Sequence, residues 1–513
     1  MHELEQLLGL FTAAVILASL ARRVGAPYPV FLALGGAGLA FFPLTPSFTL
    51  PPELVLALFV APILLDAAYD ASPRDLKDNW APLLGLVVFS VALTTFAVAA
   101  VVRFFIPEMP WGPAIALGAI VAPPDAVAAT AVLRPLRPPQ RLLTILEGES
   151  LLNDASALLI YRLAVGAVAV GDFSFGDVIP ALSLGLLGSV LVGPALGWIT
   201  LRLLTSVHHV PTAIILQFTT TFGVWILAEK LGLSAVLTMV CYAMTVARSS
   251  PQRTAARVRI PTYAVWETTI FALNILAFIF IGLQIRPIFE TLEVADRSRY
   301  FMVAGTVLVT VIMVRIAWQM SFNAALRWRD RVTGFNPPRP MLRPTVGSGM
   351  VIAWAGMRGI VSLAAAMALP AGFPYRDLIM LTAFAVVVGT LVVHGLTLKP
   401  LLRSLNLQDD DPVGKELRAA RRRASQAGLA TLEGDTSPIA NIVRKEFALL
   451  LADDQQHDRA AAVATHRDLH RRALAEARQE VFRMRDSSEI GDDAFHQLEE
   501  EFDWIEMAGE RQS

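Results

Sequence analysis

The chemistry of this chain is concentrated in the stretch EGESLLNDASALLIYR, residues 147–162, which lies inside an otherwise apolar segment. With helical spacing, Glu149 lies one turn before Asn153, and Ser150 lies one turn before Asp154. One narrow helix face would therefore carry a hydroxyl, an amide and two carboxyls. Charged groups at membrane depth are costly, so they usually face a polar pathway or a charged partner.

A second acid, Asp125, lies upstream in VAPPDAVAATAV, directly after two prolines that should interrupt a helix. Burial disfavours the charged form of a carboxyl, so a buried Asp154 can hold a proton and is the best candidate for an exchanging group. Hard cations such as Na⁺ prefer oxygen ligands. Ser150, Asp125 and the Pro124 carbonyl could complete an oxygen cage in which proton and cation compete. The alternative is an aspartate paired permanently with an arginine.

Arg315 lies near the middle of the apolar run FMVAGTVLVTVIMVRIAWQMSF. A lone arginine at that depth needs an acidic partner. The candidate partners are Glu149, Asp66 in APILLDAAYDAS, Glu267, and the aspartates at 125 and 154. If Arg315 neutralises Glu149, Asp154 is left free to titrate.

A second interrupted segment is VGSGMVIAWAGMRGIVSLAAAMALP, where Gly356-Met357-Arg358-Gly359 divides an apolar run. Proline and glycine can simply kink membrane helices. However, both interruptions carry a charged residue, Asp125 in one and Arg358 in the other. Paired interruptions are typical of the binding site of secondary transporters built from two repeated halves.

The composition indicates a polytopic α-helical membrane protein. Of 513 residues, 55% are hydrophobic and 17% are charged, with a net charge of −1 and a mean hydropathy of +0.54. The apolar runs predict about thirteen spans between residues 6 and 402. The sequence has no basic array for nucleic acid and no GxxxxGK[ST] phosphate loop. These features argue against a nucleic-acid-binding protein and against an enzyme or ATP-driven pump.

The loops following odd-numbered spans carry most of the basic residues, among them Arg22, Arg134 and Arg259. By the positive-inside rule, the N-terminus is then outside the cell and the C-terminus is in the cytoplasm. We expect the chain to lie in the inner (plasma) membrane. We predict a transmembrane domain over residues 1–403 and a cytoplasmic helical tail over residues 404–513, with helices over 413–433, 437–453, 458–486 and 490–508. The tail could serve regulation or dimer contact, or it could be a solvated appendage.

Several motifs together identify a family. They are APILLDAAYD, APPDAVAATAVL, GESLLNDASALL, VWETTIFALNILAFIFIGLQI, AGMRGIVSLAAAMALP and VVHGLTLKPLL, in this order over about residues 10–403. The chain resembles the monovalent cation–proton antiporters, in the branch of sodium/proton exchangers with an Asn-Asp site. The resemblance implies an all-helical fold with inverted repeats and two crossed, interrupted helices, and a homodimer that works by elevator-type alternating access.

The resemblance also implies the activity. This would be exchange of Na⁺ (or Li⁺) for H⁺ without a cofactor, with K⁺/H⁺ exchange as the alternative. Asp154 would carry cation and proton, with further ligands from Asp125, Ser150 and the Pro124 backbone. Asn153 stands where the electrogenic branch has a second aspartate, so electroneutral exchange is expected.

Three further roles are implied by the resemblance. Glu149 and Arg315 match a structural ion pair between helices. Arg358 matches an arginine at the second interrupted helix, and Asp66 matches an acidic position that borders the site.

Overall fold

The structure is a computed structural model of the chain. It describes residues 2–42, 51–136, 138–170, 175–207, 209–254, 256–292, 296–334, 344–405, 407, 412–434, 437–452 and 472–484, together with 487, 498, 501–502 and 504–505. These residues form helices and no strands. They divide into two compact units, Met1–Asp410 and Asp411–Ser513.

The helices of the first unit account for the apolar runs of the sequence. In chain order they are α1 (His2–Val24), α2 (Tyr28–Ala40), α3 (Pro52–Val55), α4 (Ala61–Asp70), α5 (Pro73–Asp78), α6 (Trp80–Leu84), α7 (Val91–Phe105), α8 (Trp111–Val121), α9 (Ala126–Leu133), α10 (Gln140–Val170), α11 (Phe175–Leu204), α12 (Val210–Lys230), α13 (Ala235–Arg253), α14 (Ala256–Leu283), α15 (Ile285–Thr291), α16 (Arg297–Thr333), α17 (Val346–Trp354), α18 (Ile360–Met367) and α19 (Arg376–Ser404).

Membrane-spanning character follows from length and composition. Within the described residues, eight helical stretches are long and apolar enough to cross a bilayer, and Tyr28–Ala40 and Ala235–Ser250 are shorter apolar helices. The chain is therefore a multi-pass helical membrane protein, as predicted. The number of thirteen spans stays a prediction.

Both predicted interruptions are present. The first separates α8 from α9 at residues 122–125, and the second separates α17 from α18 at residues 355–359. In the first case the two prolines that follow Ala122 supply no N–H groups to continue the helix. In the second, two glycines flank the unwound residues and lower the cost of leaving the helical conformation.

Two π-helical turns, which the sequence analysis did not predict, modify other helices. Leu56–Val60 joins α3 to α4, and Gly85–Ser90 joins α6 to α7. In the second turn the Gly85 carbonyl accepts a hydrogen bond from Trp318 Nε1 at 3.0 Å. The Val87 carbonyl accepts one from Ser156 Oγ at 2.7 Å. A π-helical turn changes the regular carbonyl pattern of a helix, and here α16 and α10 each donate to one of its carbonyls.

The first unit contains two packing groups. The site group consists of α7–α10 and α16–α19, in which α10 packs on α8, and α19 packs on α16. The flanking group consists of α4 and α11–α13, which share a buried apolar cluster. The α2–α14 pair lies beside both groups. Both interruptions belong to the site group.

The second unit contains α20 (Pro412–Ala430) and α21 (Pro438–Ala452), which pack on each other. They correspond to predicted helices over 413–433 and 437–453. A further helical stretch covers 472–484. Residues 458–471 and most of 490–508, where helices were also predicted, lie outside the described residues.

Candidate functional site

The two interruptions contact each other through backbone and side-chain hydrogen bonds. The backbone N–H of Asp125 donates to the Met357 carbonyl at 2.6 Å. Arg358 donates from Nε to the Val121 carbonyl at 3.0 Å and from Nη2 to the Ala122 carbonyl at 3.2 Å. A helix end leaves carbonyls without intrahelical partners and carries partial negative charge. Arg358, which is 1% exposed, thus satisfies the end of α8 from the other interrupted helix.

Asp125 lies at the beginning of two half-helices. Its Oδ1 accepts a hydrogen bond from the Val127 backbone N–H at 2.8 Å, which caps α9. Its carboxylate also lies directly against Gly359, the residue that precedes α18, where no room is left for a Cβ atom. Helix N-termini carry partial positive charge. Both half-helix ends therefore place partial positive charge beside this carboxylate.

Arg315 is paired with Glu149. Its Nη1 donates to Oε1 at 2.6 Å and its Nη2 to Oε2 at 2.8 Å, and the two side chains are 2% and 1% exposed. The guanidinium also donates to the Ala353 and Ile352 carbonyls, both at 3.1 Å, at the end of α17. Among the acids that the sequence left open as partners, the structure brings Glu149 to Arg315. Each carboxylate oxygen of Glu149 therefore accepts a hydrogen bond from Arg315.

The helix α10 presents its polar residues on two faces rather than one. Asn153 Nδ2 donates to the Pro124 carbonyl at 3.1 Å, while its buried Oδ1 has no hydrogen-bond partner among the described residues. Ser150 Oγ accepts from the Ala126 backbone N–H at 3.3 Å. Ser150 and Asp154 line a cavity, but Glu149 and Asn153 point to other partners. The single narrow face expected from helical spacing is therefore divided.

The cavity has a volume of about 280 Å³. Its lining includes Asp154, Asp125, Ser150 and Asp66, four of the residues that the sequence analysis selected for the site. Asp154 is only 6% exposed. Asn153 and Pro124 are not part of this lining, and they reach the site through their hydrogen bond to each other.

A larger cavity of about 700 Å³ adjoins the first one. The two cavities share the lining residues Asp66, Asp70, Arg134, Ile270 and Asn274. The two cavities therefore lie side by side, and the smaller one reaches Asp154 and Asp125.

Three charged residues that line the site cavity had no predicted role at the site. Asp70, Arg134 and Glu147 line the site cavity, and Arg134 Nη2 donates to Glu147 Oε1 at 2.9 Å. One signal was available, because Asp66 and Asp70 are four residues apart on one helix and therefore lie on one face. The pairing of Arg134 with Glu147 joins two helices and has no such local signal.

The oxygen atoms of the cavity lining are of a type that can bind a cation. The carboxylates of Asp125 and Asp154 and the hydroxyl of Ser150 are hard oxygen ligands of the kind that hard cations prefer. Within the described residues, no group of three or more His, Cys, Asp or Glu side chains could hold a metal ion.

Crossed, interrupted membrane helices with buried acids at their crossing define a membrane transporter of cations. The family model described as "Sodium/hydrogen exchanger, transmembrane" matches residues 10–404. The chain belongs to this family of sodium/hydrogen exchangers.

Individual relatives agree with this assignment. A protein of Mycobacterium tuberculosis named as an Na⁺/H⁺ exchanger is 30% identical over 98% of this chain and 95% of its own length. A sodium, potassium, lithium and rubidium/H⁺ antiporter of Bacillus subtilis is 27% identical over 94% of this chain and 74% of its own length. The structure of the sodium proton antiporter MjNhaP1 from Methanocaldococcus jannaschii superposes with a TM-score of 0.60 and 16% identity, covering 79% of this chain and 99% of that one. This last likeness concerns the fold alone.

Proposed function

We propose that this protein is a secondary antiporter that exchanges Na⁺ or Li⁺ for H⁺ across the cytoplasmic membrane, with Asp154 holding either a proton or the cation. The observation that carries the proposal is that two buried acids on α10 have different surroundings. Glu149 is bound on both oxygens by Arg315, whereas Asp154 lines a cavity with Asp125 and Ser150. A carboxylate in such a cavity is available to a mobile ion.

Competition at one carboxylate is sufficient for exchange. A proton and a cation that need the same oxygens exclude each other, so each crossing carries one or the other. Asp125 and Ser150 would supply further oxygen ligands, together with the Pro124 carbonyl that Asn153 orients. Access would alternate through an elevator-type movement of the site group against the flanking group.

The charge of the site supports electroneutral exchange. Asn153 is an amide and does not titrate, and the charge of Glu149 is balanced by Arg315 at hydrogen-bonding distance. One titrating carboxylate that exchanges one cation for one proton moves no net charge. An ion channel, in contrast, would carry a current that follows the membrane voltage.

K⁺/H⁺ exchange for potassium and pH homeostasis is the second candidate. It is supported by the name of the Bacillus subtilis relative, which includes potassium and rubidium among its substrates. A cavity of about 280 Å³ does not by its size exclude the larger ion.

Proton flux in proteoliposomes tests both candidates, with Na⁺, Li⁺ or K⁺ added in turn and the membrane potential clamped or free. We expect Na⁺- and Li⁺-dependent flux that is insensitive to the potential. Asp154→Asn should abolish the flux, and Asp377→Asn, which changes an aspartate that lines neither cavity, should retain it. Full cation-dependent flux in Asp154→Asn would refute the proposal.

The proposal includes a homodimer in the inner membrane with a cytoplasmic tail. The mass of the purified protein in detergent, corrected for bound detergent, tests the dimer. Protease digestion of the tail in everted but not in right-side-out vesicles tests the orientation.

A further inference from the structure

Arg134 occupies the junction between the two cavities. It follows α9 directly and lines both the site cavity and the larger cavity. Its side chain is 62% exposed and donates to Glu147 Oε1 at 2.9 Å, and the Glu147 side chain is 29% exposed. The larger cavity is also lined by Arg22, in the last turn of α1, and Arg259, in the first turn of α14. The charge pattern of the sequence assigns both positions to the cytoplasmic side. An ion from that side would therefore pass Arg134 to reach Asp154.

Three carboxylates act electrostatically on the Arg134 guanidinium. They are Glu147, Asp70 and Asp66. Asp66 and Asp70 lie one turn apart on α4 and line both cavities. These two acids are the negative charges that an approaching cation meets before the site carboxylates. Arg134 is thus a positive charge placed among the acids that would attract a cation.

The charges belong to different packing groups. Arg134 follows α9 directly and Glu147 is on α10, so both belong to the site group. Asp66 and Asp70 are on α4 of the flanking group. The guanidinium is held by its own group through a hydrogen bond, and the acids of the other group face it across the cavity. A relative movement of the two groups would change how strongly Asp66 and Asp70 are neutralised.

We propose that Arg134 is a positioning residue that acts as a tethered competitor of the transported cation for Asp66 and Asp70. An arginine keeps its charge at all working pH values, so its influence does not depend on a proton. Glu147 moderates this influence because it holds the guanidinium away from the two acids. The proposal rests on the proposed function, since it concerns the approach of the cation to the same site.

The proposal predicts opposite effects for the two partners. In Arg134→Gln the acids at the junction are less neutralised, so the apparent KM for cytoplasmic Na⁺ should fall about three- to tenfold, the effect of one unit charge several ångströms away in a wet cavity. In Glu147→Gln the guanidinium is released toward Asp66 and Asp70, so the KM should rise by a similar factor. Vmax should change little in both.

Everted membrane vesicles give the required measurement, because the predicted cytoplasmic side then faces the added Na⁺. Arg134→Lys keeps the charge and should restore the wild-type KM. Arg299→Gln is the matched control. Arg299 pairs with Glu108 at 3.0 Å, with a 46% exposed side chain, and it lines neither cavity. Its removal should leave KM unchanged.

Salt separates an electrostatic role from a structural one. An impermeant salt screens exposed charges, so the difference in KM between wild type and Arg134→Gln should shrink as its concentration rises. An unchanged KM in Arg134→Gln, or a change that lysine does not reverse and salt does not reduce, overturns the inference. If the wild type itself shows no cation-dependent flux, it is the proposed function that fails.

Discussion

Arg315 and Glu149 face each other edge to edge, with two hydrogen bonds of 2.6 and 2.8 Å between buried side chains. The same guanidinium donates to the carbonyls that end α17. One side chain therefore joins α16, α10 and an interrupted helix. The pair balances the charge of Glu149, so Asp154 is the buried acid of α10 that lines the cavity.

Breaking this pair should destabilise the protein strongly. Glu149→Gln leaves a buried arginine without its counter-charge, which typically costs about 3–5 kcal/mol. We expect a clear fall in the Tm of the detergent-solubilised protein, followed by differential scanning fluorimetry. Glu290→Gln removes one partner of the exposed pair of Arg286 and Glu290 and serves as control, because such pairs contribute little. A Tm of Glu149→Gln equal to that of the control would contradict the structural role.

The close contact between Gly359 and Asp125 predicts a defect in cation binding. In Gly359→Ala the new Cβ atom would occupy the position of the Asp125 carboxylate, which must then move away from its cap on α9. We expect the apparent KM for Na⁺ to rise by about tenfold or more, as for the loss of a ligand worth 1.4 kcal/mol or more.

Gly305→Ala provides the control for this substitution. Gly305 lies within α16, and an added Cβ would have no atom within 4 Å. Its KM and Tm should therefore match those of the wild type. If Gly359→Ala also binds Na⁺ normally, Asp125 does not take part in cation binding at its present position.

Competition at Asp154 predicts how pH acts on the affinity. A proton and a cation that share one carboxylate exclude each other. In the acidic range, the apparent KM for Na⁺ should therefore rise about tenfold for each unit by which the pH falls on the side of the membrane to which Na⁺ is added. Saturating Na⁺ should restore the same Vmax. Initial rates in proteoliposomes at several external pH values give both quantities. A Vmax that falls with pH while KM stays constant would indicate a proton that binds elsewhere.

The interruptions of the helices could be predicted because local covalent chemistry decides them. Two consecutive prolines before Asp125 cannot continue a helix, and the flanking glycines around Arg358 make an unwound segment inexpensive. Hydrophobic run lengths likewise indicated the membrane helices. These features depend on residues that are adjacent in the sequence, so they can be inferred without knowledge of tertiary contacts.

The partners of the charged residues could not be predicted in the same way. The sequence offered several acids as candidate partners of Arg315. The packing of α16 on its neighbours decides that the partner is Glu149. Helical spacing put Glu149, Asn153, Ser150 and Asp154 on one face, but neighbouring positions differ by about 100°. The surrounding helices decide which of them reaches the cavity. The Arg134–Glu147 pair and the π-helical turns are likewise products of tertiary contacts.

The hydrogen bond between the Asp125 backbone N–H and the Met357 carbonyl ties the two unwound segments together at 2.6 Å, and Arg358 adds side-chain hydrogen bonds across the same junction. Whatever displacement takes the ion from one side of the bilayer to the other, the coordinating atoms would travel as a preassembled unit. Ion discrimination and translocation rate would then be separable properties, and mutations at the helix crossing and along the boundary with the flanking group could tune them independently.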